Sequence, residues 1–319
     1  MRTKNFRAAV FRQRVMYTFL GSDAFALAVL ENLAAEELPA AIVTTPDRSS
    51  GRGMKIRPGP LARFAMERGL PLLQPESLRG AEAQSAVLAP GADRMILVSY
   101  GLILPRSFLD SAPPVLNAHA SLLPHWRGAS PIQSVLLHGE AESGCTVMRI
   151  VPALDAGPVI SLQHVAVTAE DDYGSLSAKL AAAAGELLRP LLKVAEIPQG
   201  ISQNHALATF CGKIAPGTER LRPREQDAAT AWNIVRAFAP KPGAYVELAG
   251  VERPLRLKVL KAVVLERGPE PSAFLRVSNC LLLGCREGAL QILRVQPEGR
   301  PAMEVEAFLN GWRGKLALA

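Results

Sequence analysis

The chain has 319 residues, 49% of them hydrophobic, which is long enough for two domains and too apolar for wholesale disorder. Its net charge of +7 is uneven: residues 220–319 carry +6, residues 14–219 carry −3 and the first 13 carry +4. The four cysteines, Cys145, Cys211, Cys280 and Cys285, are scattered, which reads as free thiols in a reducing cytosol and argues against a metal site. No apolar run reaches the roughly 18 residues of a spanning helix.

The opening MRTKNFRAAVFRQ (1–13) holds four basic residues and no acid. That composition suits an organelle transit peptide, but it reads here as an extension outside the fold. RVMYTFLG (14–21) predicts a buried strand. Ser22 or Asp23 can then cap an amphipathic helix over 24–34, with Phe25, Val29 and Leu33 spaced for one face. PAAIVTTP (39–46) predicts a second strand, so the chain opens with a βαβ unit of a parallel α/β sheet. The first turn lacks G-x-G-x-x-G, which gives no support for a dinucleotide site. RMILVSYG (94–101) and LNAHA (116–120) predict further buried strands, and 174–195 a long Ala- and Leu-rich helix closing the first domain.

Residues 197–217 mix Pro, Gly and polar side chains, as a linker does. Beyond about 220 the pattern changes to short apolar runs at 244–250, 255–266, 274–285 and 289–297, preceded by one helix over 227–238. Evenly spaced short strands predict a small β-barrel or sandwich. The expected division is therefore a basic extension (1–13), a catalytic domain (14–197), a linker (198–219) and a smaller mainly-β domain (220–319). A basic last third on a mildly acidic body suits a polyanionic partner.

The chemistry concentrates in NAHASLLPHWRGASPI (117–132) and ALDAGPVI (153–160). Asn117 and His119 are two apart on an apolar strand, so both leave one face. Asp155 follows 36 residues after His119, at the end of the apolar run CTVMRIVPALDAG. If that run is a neighbouring strand, its carboxylate can hold the imidazole in one tautomer and favour the charged form. An amide donor, an imidazole and a carboxylate at strand ends suit acyl transfer to an amine. A lone Asn-x-His is more often a hydrogen-bonded core pair; the surrounding SLLP, WRGASPI and LDAG segments give it weight as a site.

In this order, FLGSDAFALAVL, TTPDRSSGRGMKIRPGPLARFA, LPLLQPESLR, ADRMILVSYGLILP, NAHASLLPHWRGASPI, LDAGPVI, RAFAPKPGAY and LRVQPEGRPAMEVEAFL resemble the methionyl-tRNA formyltransferase family. The resemblance implies a Rossmann-like formyltransferase domain followed by an OB-like barrel. It implies transfer of a formyl group from 10-formyltetrahydrofolate to initiator methionyl-tRNA by a cytoplasmic monomer that needs no metal. It places catalysis on Asn117, His119 and Asp155, and folate binding on Ser121, Leu122, Leu123 and Pro124. Arg127 and Gly128 are read as shaping the following turn, without a chemical role.

The loop from Asp47 to Arg57 holds two glycines and four cations, a composition suited to folding against RNA phosphates. Arg48, Arg52 and Lys55 are the expected tRNA contacts, Arg52 first. The chain departs from the family pattern at Met54, Ala120, His125 and Lys241, which bears on folate and tRNA docking more than on the reaction. A sugar-nucleotide amine formyltransferase shares the triad and SLLP but lacks the GRG loop and the basic β-domain. A noncatalytic RNA binder does not require the intact triad.

Overall fold

The computed structural model describes residues 15–50, 55–249, 254–312 and 316–318. The extension 1–13 lies outside them. The chain runs through β1 (Tyr17–Gly21), α1 (Ala24–Ala34), β2 (Ala41–Val43), a hairpin of β3 (Arg48–Ser50) and β4 (Lys55–Arg57), α2 (Pro60–Arg68), β5 (Leu72–Leu73) and α3 (Ala81–Leu88). It continues through β6 (Arg94–Val98), α4 (Arg106–Ser111), β7 (Val115–His119), β8 (Arg127–Gly128), α5 (Pro131–Leu137), β9 (Glu142–Arg149), β10 (Val159–Ala166) and α6 (Tyr173–Leu191).

α1 begins where the sequence places it, because the Asp23 carboxylate accepts the backbone N–H of Ala26 at 2.9 Å and caps the first turn. Phe25, Val29 and Leu33 all lie on its buried face. The seven-stranded sheet has the order β10-β9-β7-β6-β1-β2-β5. The strands from β5 to β7 are parallel, and β9 and β10 add antiparallel at one edge. The chain leaves β1 toward β2 and later returns to β6 on its other side. That reversal opens a crevice at the carboxyl ends of β1, β6 and β7, the usual ligand site of open α/β sheets.

The run CTVMRIVPALDAG is a strand only as far as Arg149. Its pairing with β7 ends at Leu116 opposite Arg149, and Pro152 cannot donate to a ladder. Asp155 therefore sits in the β9–β10 loop, at a positive φ of 47°.

The remainder comprises β11 (Phe210–Cys211), α7 (Ala228–Phe238), β12 (Ala244–Leu248), β13 (Leu255–Leu265), β14 (Phe274–Val277), β15 (Cys280–Gly284), β16 (Ala289–Pro297), β17 (Met303–Glu304) and α8 (Val305–Gly311). The apolar run 274–285 is a hairpin rather than one strand, with Ser278 at φ 52° turning the chain. β12 to β16 form an antiparallel sheet whose two ends are joined by the bridges Leu248–Leu318 and Ala273–Ala317. The last residues thus curl the sheet toward a barrel and cover edges that would otherwise be open.

One buried cluster runs from Phe19 through Leu136 and Leu188 to Val235, Val259 and Ile292, so the two halves share apolar burial. A second, around Leu20, Met95 and Phe108, covers the opposite face of the parallel sheet. The halves also meet at Asp171, whose backbone carbonyl accepts from buried Arg236 Nε at 2.7 Å. Burial alone would raise the Asp171 carboxyl, but hydrogen bonds from Lys179, Thr168 and Ser175 outweigh it and hold the group at about 2. The ionised form therefore stabilises the fold above the ordinary value of 3.8, and that contribution is lost as pH falls from about 4 toward 2. Asp171→Asn is expected to cost on the order of 2 kcal/mol at pH 7. It should also flatten the acid loss of stability below pH 4, as read from urea midpoints across that range.

Candidate active site

Asn117, His119 and Asp155 line one cavity of about 690 Å³ at the carboxyl ends of β6 and β7. Asn117 is 6% exposed, and its carboxamide makes no hydrogen bond among the described residues. Its donors lie at the cavity wall, where a ligand or water can take them.

His119 ends β7, and its Nε2 lies 2.9 Å from the Trp126 carbonyl oxygen. A carbonyl only accepts, so Nε2 carries a proton, and in the neutral tautomer this selects, Nδ1 is the bare nitrogen. Nδ1 is 3.9 Å from Asp155 Oδ2, too far for a direct hydrogen bond. This corrects the expectation that Asp155 sets the tautomer: a backbone carbonyl sets it, because the turn after β7 folds back over the ring. Two acceptors facing each other across 3.9 Å suit an N–H or water placed between them.

The Trp126 carbonyl is itself held in place. Trp126 adopts φ 57°, its N–H donates to Thr209 Oγ1 at 2.8 Å, and its indole Nε1 donates to Glu140 at 3.0 Å. Asp155 Oδ2 accepts the Gly128 N–H at 2.8 Å, which joins the turn after β7 to the β9–β10 loop. Ser99, Trp126 and Asp155, three non-glycine residues with positive φ, all surround this site. Such strain persists only where the surroundings over-determine it.

The structure places the four SLLP residues differently from the triad. None of Ser121, Leu122, Leu123 and Pro124 lines the 690 Å³ cavity, whereas Ala120 does. Ser121 Oγ donates to the His125 carbonyl at 2.6 Å, and Thr146 Oγ1 bridges the Ser121 carbonyl and the Leu123 N–H. These residues build the turn that carries Trp126. Ser121 and Leu122 also line a separate depression of about 420 Å³ beside exposed His125. Among the tRNA candidates, the backbones of Arg48 and Lys55 belong to the β3–β4 hairpin. Arg52 and Met54 lie outside the described residues.

Sequence reasoning missed two sets of lining residues. Ser99 to Ile103 follow β6 and belong to the lining, as does Leu154; Ile103 and Leu154 are both exposed. The position of Ser99 to Ile103 after a parallel strand beside the crossover was the available signal. Cys211, Gly212 and Lys213 come from the linker, which carries no periodicity to betray them. Burial raises the Tyr100 and Tyr173 phenols, so both stay neutral in the wall.

The linker reaches the site through strand pairing. β11 pairs in parallel with β8, Ala129 N–H donates to the Cys211 carbonyl at 3.0 Å, and Ser130 Oγ donates to the Gly212 carbonyl. Gly128 is at φ 123°, and a Cβ there would stand 2.0 Å from the Cys211 carbonyl oxygen. No larger residue fits without parting the two strands.

Residues 13–192 match the formyl transferase family and residues 213–313 the formyl transferase C-terminal domain, so this fold and cavity are those of a two-domain formyl transferase. A methionyl-tRNA formyltransferase of Methylococcus capsulatus is 40% identical over 299 residues, spanning 92% of this chain and 95% of that protein. One of a Methylobacterium species is 40% identical over 302 residues, spanning 92% and 96%. The chain belongs to the methionyl-tRNA formyltransferase family. Among solved structures, HypX from Aquifex aeolicus in complex with tetrahydrofolic acid superposes with a TM-score of 0.61 at 14% identity. That match covers 96% of this chain but 51% of HypX, so this chain spans about half of the longer protein and shares its fold.

Gly128→Ala is expected to lose about 1–3 kcal/mol through backbone strain alone. It should also lose turnover by displacing β11, checked by thermal unfolding and by formyl-transfer rate at a temperature where the variant stays folded.

Proposed function

We propose that the chain transfers the formyl group of 10-formyltetrahydrofolate to the free amino group of initiator methionyl-tRNA. The observation that carries this reading is the convergence of Asn117, His119 and Asp155 on one cavity at the sheet's crossover. The neutral amine attacks the formyl carbon and forms a C–N bond, which leaves an oxyanion. Asn117 donates to that oxygen from the cavity wall. The amine N–H enters between His119 Nδ1 and the Asp155 carboxylate, the two acceptors that face each other there. Its proton passes to the folate nitrogen as the C–N bond to folate breaks, giving tetrahydrofolate and N-formylmethionyl-tRNA. No metal takes part in this sequence.

The folate lies along the apolar wall formed by the residues after β6 and by Leu154. Ser121, Leu122, Leu123 and Pro124 act on it by fixing the turn that closes this end of the cavity. Arg48, Arg52 and Lys55 contact the acceptor arm, and the basic residues beyond 220 add phosphate contacts. The working unit is a catalytic body (14–197), a linker (198–219) and an RNA-binding domain (220–319). In this reading the chain works as a monomer. Among the described residues no helix is long and apolar enough to cross a membrane, and the reaction serves translation initiation in the cytoplasm.

Asn117→Ala is expected to lower turnover about 100- to 1000-fold, with tRNA affinity and fold retained. Asp155→Ala should lower it comparably. The deciding assay supplies 10-formyltetrahydrofolate with methionyl-tRNA or sugar-nucleotide amines and measures formylated product. Faster use of the sugar amine, or near-normal turnover by either variant, overturns the assignment. Arg52→Ala should raise KM for methionyl-tRNA while leaving KM for folate unchanged.

A further inference from the structure

Asp155 occupies a strained conformation, φ 47°, in a loop with no ladder to hold it. The group that holds it comes from the segment between the two domains. Ile201 pairs with Val159 through two backbone hydrogen bonds of 2.8 Å, which anchors that segment beside the β9–β10 loop. Two residues on, the Gln203 side chain is 8% exposed. Its Nε2 donates to the carbonyl oxygens of Asp155 at 2.9 Å and Gly157 at 2.8 Å. Its Oε1 accepts from Arg127, from the terminal nitrogen at 2.6 Å and from Nε at 3.2 Å. A guanidinium has no acceptor, so the amide can face only one way. Both donors and both acceptor positions of the carboxamide are used.

Arg127 is 4% exposed and sits in β8, immediately before Gly128, whose N–H holds the Asp155 carboxylate. The contacts therefore close a ring. Gly128 grips the side chain of Asp155, Gln203 grips its backbone, and Arg127 joins Gln203 to Gly128 through one peptide bond. We propose that Gln203 is a positioning residue for the reaction: its carboxamide holds the Asp155 backbone so that the carboxylate faces His119 Nδ1. The proposal rests on the catalytic reading of Asp155. It makes the interdomain segment a working part of the site, and it gives buried Arg127 the task of orienting the amide.

Two substitutions separate positioning from anchoring. Gln203→Glu keeps the acceptor for Arg127, now as an ion pair, but presents no N–H to the two carbonyls. Gln203→Met keeps the volume and removes every polar contact. Both are expected to lower kcat about 10- to 100-fold, the scale of a misplacement near 1 Å, with KM for folate and for methionyl-tRNA within about threefold. If the Met variant fails to fold, the Glu variant, with its Arg127 anchor intact, decides the question.

Single-turnover rates in an Asp155→Asn background complete the test. Neither Gln203 substitution should slow that variant further, because a residue acting through Asp155 has nothing left to position. Wild-type kcat in Gln203→Glu overturns the proposal, as does a loss confined to KM or to melting temperature, or additivity with Asp155→Asn. Full turnover by Asp155→Asn alone overturns the reading of Asp155 first. That result is seen without any Gln203 variant, so the two failures are distinguishable.

Discussion

The hydrogen bond from Gly128 N–H to Asp155 Oδ2, at 2.8 Å, is the contact on which the site depends. The imidazole and the carboxamide come from one strand, so the sheet fixes their mutual placement. The carboxylate comes from an irregular loop between β9 and β10, and only this bond and its neighbours bring it to them. The turn that supplies Gly128 also supplies the Trp126 carbonyl that fixes the His119 tautomer. One loop thus sets both the proton position on the histidine and the place of the acid.

That arrangement carries strain, which the rest of the fold offsets. Ser99, Trp126 and Asp155 sit at positive φ without being glycines. Each such residue costs on the order of 1–3 kcal/mol. The shared buried cluster spanning both halves, with the Arg236–Asp171 contact at its margin, supplies a rigid frame against which these turns are held. The domains are therefore coupled by packing as well as by chain connectivity. The segment between them works under the same constraint, paired to β8 on one side and bridged to Val159 on the other.

Charge is distributed unevenly between the cavity and the last third of the chain. Inside the cavity burial keeps the tyrosines neutral, so the titratable groups that set its field are His119, the Asp23 and Asp155 carboxylates and Lys213. Outside, a basic last third offers long-range attraction to a polyanion, an effect that fades within a Debye length of about 8–10 Å at physiological salt.

Much was legible in the sequence where local rules operate. Period-two alternation placed Asn117 and His119 on one face of β7, helical spacing and Asp23 placed α1, and the basic last third coincided with the short-strand pattern. The strand end before Asp155, the turn at Ser278, the role of the Trp126 carbonyl and the entry of residues 201–213 into the site were not legible. A hydrogen bond between residues 27 or 48 positions apart leaves no periodic trace, and a backbone carbonyl leaves none at all. The sequence by itself determined the elements and the shared face of Asn117 and His119, because propensity and spacing act within a few residues. Only the tertiary structure decided which side chains share the cavity and which nitrogen of His119 is bare, because those follow from where distant loops are forced to meet.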